Sequence, residues 1–278
     1  MNRWICATLL VLAAVPWRAA DAAGAAGRDA LRGRLVITGS NTMAPLVSAI
    51  ARRFVALHPG VAIEVQPGGT GRGLDDARRG AADVGMVSRA LGDAERDMQG
   101  LPIARDGVAL VVHKDNPVSG LTDRQVVGIY TGRITRWSEV GGRDAPIVAY
   151  EAAGARASAE LFASYFGLAR EAIQARPAAG IGAARLRLVA ENRDAILYMS
   201  VGLAERAAES GAPIRMLPAG GIAATSRNIR NGHFPISRPL TLATRARPGA
   251  LAKAFVDYCG TSQITDLVLE HDFVPYLD

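Results

Sequence analysis

Only two cysteines occur in this 278-residue chain. The first, Cys6, lies in an apolar N-terminal stretch that is expected to be removed. Cys259 would then stand alone, which excludes an internal disulfide and leaves stability to packing. Aromatic residues make up 5% of the chain, and no basic run is interleaved with them, so a nucleic-acid surface is not expected. Long hydrophobic runs are missing too. After the N-terminal stretch, no segment approaches the ~18 consecutive apolar residues of a membrane-spanning helix. The four histidines, His58, His113, His233 and His271, are scattered. They lack the i,i+4 or paired-cysteine spacing that holds a metal, so neither a metal nor another cofactor is expected.

Catalytic signatures are equally scarce. There is no G-x-S-x-G elbow. The "GGTGRG" stretch lacks the Lys-Ser/Thr ending of a P-loop and does not fit the dinucleotide fingerprint G-x-G-x-x-G. The paired carboxylates Asp75 and Asp76 fall on a helix and are expected to face solvent. No catalytic residue is identified, and the chain is not read as an enzyme.

What is present begins with a leader. "MNR" is a positive start, "WICATLLVLAAV" a short apolar core, and "RAADAAG" carries small residues of A-x-A character. Residues 1–23 read as a secretory signal peptide, cleaved between Ala20 and Gly24, which places the mature chain in the periplasm. Lys and Arg total 32 against 26 Asp and Glu, a formal net charge of +6. The basic residues are mixed with acids, as in "DDARRG" and "DAERDMQ", and read as a solvated surface whose field draws small anions.

Strands and helices alternate along the chain. "RLVITG" is a short apolar strand. The helix after it carries Leu46, Val47, Ile50, Phe54 and Leu57 at helical spacing and stops at "HPG". "VAIEV" is the next strand, "GGTGRG" breaks the chain, "LDDARRG" is a second helix and "ADVGMVS" a buried strand. This order predicts an α/β domain with mostly parallel strands. "DGVALVVHKDNP" is a longer apolar run whose end at Asn116-Pro117 reads as a crossing into a second lobe. There, "LTDRQVVGIYTG" is a helix capped by Thr122, Trp137 packs inside a loop, and "APIVAY" is a strand. "ASAELFASYFGL" is a helix with Leu161, Phe162, Tyr165 and Phe166 on one side. "NGHFPISRPLTLAT" reads as a second crossing strand, followed by the amphipathic helix "GALAKAFVDYCG".

Small polar clusters sit at three helix starts or strand ends: "GSNT", "GGTGRG" and "SRAL". A helix N-terminus presents free N–H groups and about half a positive charge, so it binds anions without a lysine. Hydroxyls add donors, and glycine lets the backbone approach a ligand. Ordinary capping accounts for any one cluster. Three at successive strand ends point to an anion site, since ligands in open α/β sheets sit at strand C-termini. The "GSNT" hydroxyls are therefore expected both to cap their helix and to hold a ligand.

Six stretches in order, "GSNTMAPL", "HPGVAIEVQPGGTGRG", "GAADVGMVSRAL", "PIARDGVALVVHKDNPV", "IYTGRITRWSEVGG" and "NIRNGHFPISRPL", resemble the phosphate-binding proteins of ABC transporters, from about Leu35 to the C-terminus. The resemblance implies a two-lobed periplasmic binding protein of the type II kind, α/β throughout, its lobes joined by two crossing strands. Residues 32–108 plus 232–278 would form the first lobe and 109–231 the second. The implied ligand is phosphate or a related tetrahedral oxyanion. The implied partner is an ABC permease at the inner membrane, served by a monomer.

The same resemblance places the contacts. Ser40, Thr42 and the N–H of Met43 match the first helix start, Thr70 with Gly71 the glycine loop, and Ser88 and Arg89 the strand-end pair. The second lobe departs from the family. "AYEAAGARASAELF" stands where the family has an Arg and then "GSGT", so Ala155 and Ala157 replace hydroxyls and Tyr150 or Glu151 replaces the Arg. Gly154, Arg156 and Ser158 are the remaining candidates there. Some relatives carry an Asp near the position of Ser88 as acceptor for the ligand's proton, and none is found there in this chain. An alternative follows: the same fold serving as a sensory or protein-interaction module with weak or no phosphate binding.

Overall fold

Apolar residues two apart build short strands in this chain, and those three and four apart build the helices between them. The computed structural model describes residues 31–152, 157–178 and 183–276. β1 (Gly33–Gly39), α1 (Ala44–Leu57), β2 (Val61–Pro67), α2 (Thr70–Arg79) and β3 (Val84–Val87) follow in alternation. β1 runs parallel to both β2 and β3. The long β4 (Met98–His113) comes next, then α3 (Asp123–Tyr130), β5 (Val148–Ala152), α4 (Ala157–Phe166) and β6 (Arg176–Ala178). The chain continues through α5 (Ala183–Ala190), β7 (Ala195–Ser200), α6 (Val201–Glu209), β8 (Ile214–Met216) and α7 (Ser226–Arg230). It ends with β9 (Ser237–Arg245), α8 (Ala250–Cys259), α9 (Thr265–Glu270) and β10 (Val274–Pro275).

The strands form one path in the order β2-β1-β3-β9-β4-β7-β5-β6, with β8 and β10 also paired to β4. β4 is the joint. Its first part, Met98–Gly107, pairs antiparallel with β9, and Val108–Val112 pairs with β7. The passage between the two halves of the sheet thus falls between Gly107 and Val108, inside β4, not at Asn116-Pro117. The latter forms a turn in which the Asn116 N–H donates to the His113 carbonyl and Asn116 Oδ1 accepts from the Val118 N–H. The local pattern points past the passage because Val108–His113 is buried throughout and the apolar run continues unbroken to Asn116-Pro117.

Each half has its own core. Leu35, Ile50, Phe54, Leu240 and Phe255 pack in one; Tyr130, Trp137, Phe162 and Tyr198 pack in the other. Trp137 is buried as expected, and its Nε1–H donates to the Asp194 carbonyl at 3.0 Å. α3 begins with the expected Thr122 cap, which accepts from the Gln125 N–H. Phe162 stacks on Tyr198 at 4.0 Å between ring centroids and meets Tyr130 edge-on at 4.7 Å, fixing α4 against α3 and β7.

Two helices depart from expectation. Leu57 does not join the apolar stripe of α1: it is 55% exposed, being the last helical residue beside the turn at His58. α2 begins at Thr70, inside the glycine stretch and not after it. The glycines allow a close approach. A Cβ on Gly73 would lie 2.8 Å from the Cα of Gly39, so α2 packs against the end of β1 more tightly than any side chain permits. On this helix Asp75 is exposed as expected. Asp76 is not: its carboxylate accepts from Arg72 and Arg79. Among the described residues, no helix is long and apolar enough to cross a membrane.

Candidate functional site

The turn from β1 into α1 carries the "GSNT" hydroxyls, and it is tied to β3 by the Ser40 N–H, which donates to the Met86 carbonyl at 2.9 Å. Ser40 and Thr42 are 2% and 7% exposed. The residue at the helix cap is Met43, and no side chain caps α1, so the expected capping by hydroxyls does not occur. The Met43 side chain is fully buried in the first core, which leaves only its backbone for a ligand. Thr42 uses its hydroxyl elsewhere. Oγ1 donates to Glu160 Oε2 at 2.9 Å and accepts from Arg238 Nη2 at 3.2 Å.

Arg238 is the hub. It stands on β9 in register with Asp106 on β4, and its Nε and Nη2 both lie 3.2 Å from Asp106 Oδ2. Its Nη1 donates to Glu160 Oε1 at 2.9 Å, and Nη2 also reaches the Ala157 carbonyl at 3.4 Å. One guanidinium therefore links both strands of the passage to the starts of α1 and α4. Asp106 is 1% exposed. Burial pushes its carboxyl above the usual carboxylate range, while the Arg238 charge and hydrogen bond pull it back.

A cavity of about 290 Å³ opens beside this cluster. Thr42, Asp106, Ser158, Arg185, Ser200 and Asp272 are among the residues that line it. Asp272 has φ 63°, the left-handed conformation common just past a helix end, and its backbone carbonyl accepts from the Ser200 hydroxyl. Donors, a cation and a buried carboxylate thus converge on one space. That combination suits a small anion that itself carries a proton.

The other expected residues are distributed as follows. Thr70 opens α2 and Ser88 follows β3; their hydroxyls lie 3.1 Å apart, and the Ser88 N–H donates to Thr70 Oγ1 at 3.2 Å. Of the three clusters expected to form one anion site, these two meet each other, but outside the lining of the cavity that Asn41 and Thr42 share. Gly71 is exposed in the first turn of α2. Arg89 is committed to Glu95, with its two terminal nitrogens 3.1 and 3.0 Å from the carboxylate oxygens. The Arg89 contact, with the Gly92 N–H, holds Glu95 below its ordinary range. The cation beside Thr42 is Arg238 instead. Ser158 is half-buried in the first turn of α4 and lines the cavity. Gly154 and Arg156 lie outside the described residues. Tyr150, standing where an Arg was expected, accepts from the Tyr130 hydroxyl at its carbonyl, at 3.3 Å.

Asp106, Glu160 and Arg238 were not singled out from the sequence. Two of them had a signal: an acid heading the apolar run "DGVALVV" and an Arg inside the crossing strand "ISRPL" are charges where a buried strand should have none. Glu160 had none, since an acid in the first turn of a helix is ordinary.

Comparison with known proteins adds relatives. Residues 24–261 match the family model described as the PBP superfamily domain. The phosphate-binding protein PstS of Bacillus subtilis is 27% identical over 264 residues, 91% of this chain and 84% of that protein. The crystal structure of an ABC-type phosphate transport receptor from Vibrio cholerae superposes with a TM-score of 0.70 at 26% identity, covering 86% of this chain and 99% of that one. A Clostridium perfringens structure, a substrate-binding protein assigned to phosphate ABC transport and solved with bound phosphate, gives a TM-score of 0.58 at 30% identity, covering 87% and 99%.

Proposed function

The chain belongs to the PBP superfamily, and we propose that it captures inorganic phosphate or a related tetrahedral oxyanion and delivers it to an ABC permease. Its fold is that of the two-lobed periplasmic binding proteins. The lobes are assigned as residues 32–108 with 232–278, and 109–231, joined where β4 and the approach to β9 pass between the two cores. Delivery would take place in the periplasm, with closure of the lobes on the ligand presenting a surface to the permease.

One observation carries the reading: Thr42 and Asp106 line the cavity, and Arg238 is bonded to both of them. Thr42 and Arg238 offer a hydroxyl and a guanidinium to anionic oxygens, and the start of α1 adds its partial positive charge. Asp106 distinguishes among anions. Phosphate near neutral pH carries at least one proton and donates it to a carboxylate oxygen, whereas sulfate has none and meets that oxygen as like charge. The acceptor missing near Ser88 is thus supplied from β4. Thr70, Ser88 and the backbone at Met43 and Gly71 are the further proposed contacts of the first lobe, and Ser158 that of the second. Relatives named for phosphate binding and phosphate transport support the same ligand.

A second reading, a sensory or interaction module with weak or no phosphate binding, is favoured by Tyr150 or Glu151 standing where the family has an Arg. Titration calorimetry separates the two. Protein stripped of anion by unfolding, dialysis and refolding should release heat with phosphate and arsenate and none with sulfate. Silence with all three anions, from folded protein, would favour the module.

A further inference from the structure

Glu160 holds the two donors that an incoming oxyanion needs at the start of α1. Its carboxylate accepts the only hydroxyl proton of Thr42 through Oε2, at 2.9 Å, and an Arg238 N–H through Oε1, at 2.9 Å. The two oxygens of one carboxylate therefore span a hydroxyl and a guanidinium just as two oxygens of a phosphate would. We propose that Glu160 is an internal anion that competes with the ligand for Thr42 and Arg238 and so sets how tightly the cleft takes an oxyanion. This rests on the phosphate reading above.

Three features support it. The first is charge. Arg238 already faces Asp106, which is buried, so Glu160 is a second carboxylate on one cation. A phosphate arriving at Arg238 while Glu160 stays in place meets a guanidinium that already faces two carboxylates. The second is donor capacity. The Thr42 hydroxyl has a single proton, and once that is given to Glu160 it has none for a ligand. The third is freedom to leave. The Glu160 side chain is 54% exposed, against 12% for Arg238 and 1% for Asp106, so Glu160 can swing into water while the Asp106–Arg238 pair stays buried. Asp106 is the fixed carboxylate that reads the ligand's proton, and Glu160 is the movable one that the ligand displaces. Because Glu160 lies on α4 and Thr42 in the turn that leads into α1, the contact also joins elements of the two cores, as a bound anion would.

The test compares wild type with Glu160→Gln and Glu160→Ala, each refolded free of anion and titrated with phosphate and sulfate, with thermal unfolding as the check on folding. Competition predicts about tenfold or tighter phosphate binding in both variants, since one charged acceptor has been removed from the donors. A first-turn acid with only a structural role predicts unchanged or weaker binding, and that result overturns the proposal while leaving phosphate capture standing. If wild type and variants all fail to bind phosphate but the variants bind sulfate, the competition holds and the phosphate reading falls. Silence from both anions in all three folded proteins overturns both.

Discussion

Asp106 and Arg238 are register partners on β4 and β9, beside the point where β4 leaves one half of the sheet for the other. Asp106 is buried and Arg238 largely so, with 1% and 12% of the side chains exposed, and the Arg238 Nε and Nη2 lie 3.2 Å from Asp106 Oδ2. A charge pair in this position serves two ends. It neutralises the strand passage, and it presents an acceptor, Asp106, to the cavity with its cation alongside.

Breaking the pair from one side should be costly. Arg238→Gln leaves Asp106 buried without its cation and is expected to lower stability by about 3–5 kcal/mol. Asp106→Asn with Arg238→Gln should recover much of that loss without recovering anion affinity. Urea unfolding of the two single variants and the double variant checks this; simple addition of the single losses would show that the two residues are not coupled.

The Thr70–Ser88 hydroxyl pair is expected to contribute to the ligand directly. Thr70→Ala and Ser88→Ala should each weaken phosphate binding by about tenfold or more, the worth of one hydrogen bond to a charged group. Stability should fall by only about 1 kcal/mol, more in Thr70→Ala, which also takes the acceptor from the Ser88 N–H. Calorimetry and thermal unfolding on the same samples separate the effects, and unchanged affinity in both variants would remove Thr70 and Ser88 from the proposed contacts.

Acid should unfold the protein partly through the surface. Arg53 on α1 meets the Asp266 carboxylate through two hydrogen bonds of 2.7 and 2.6 Å, and Asp266 is held down at about 2. Its unfolded value is about 3.9. Because the folded value is the lower one, the stabilisation is present above the unfolded value and is lost as pH falls through about 2. Arg53→Gln should flatten the fall in stability between about pH 5 and 2, measured by urea unfolding at a series of pH values. An acid limb identical to that of wild type would contradict it.

Much of the fold was legible in local pattern. The alternation of "RLVITG", "VAIEV" and "ADVGMVS" with intervening helices matches β1, β2 and β3 around α1 and α2, and the Thr122 cap and buried Trp137 follow from turn chemistry and residue size. The crossing read at Asn116-Pro117 lies beyond the observed passage because Val108–His113 is apolar on both faces and gives no local boundary; the lobe limit at 108/109 came with the family resemblance. The site was legible only in part, for a related reason. Thr42 stands out because small polar residues at a helix start carry a local signature, whereas Ser158 came only with the family resemblance. Asp106 and Arg238 lie far apart in sequence and become a site only through the β4–β9 register, which no local pattern encodes. Arg89 had the expected motif, yet Glu95 was near enough to take its charge.

Phe162 connects packing to function. It fixes α4, which carries Ser158 and Glu160, against Tyr198 and Tyr130. Phe162→Ala should cost about 3–5 kcal/mol of stability. Phosphate affinity should change as well, although the side chain does not line the cavity. Unfolding and calorimetry together check this, and unchanged affinity would show that α4 keeps its place without the ring.

The most direct test of phosphate capture at Asp106 is the phosphate-to-sulfate preference of Asp106→Asn against wild type, by titration calorimetry on refolded, anion-free protein. The neutral amide keeps the size of the side chain and no longer repels a fully ionised oxyanion. Wild type should bind phosphate and exclude sulfate, and the variant, still folded, should lose about tenfold or more of that preference. An identical preference in both proteins would contradict the role given to Asp106 and move the anion away from Thr42 and Arg238.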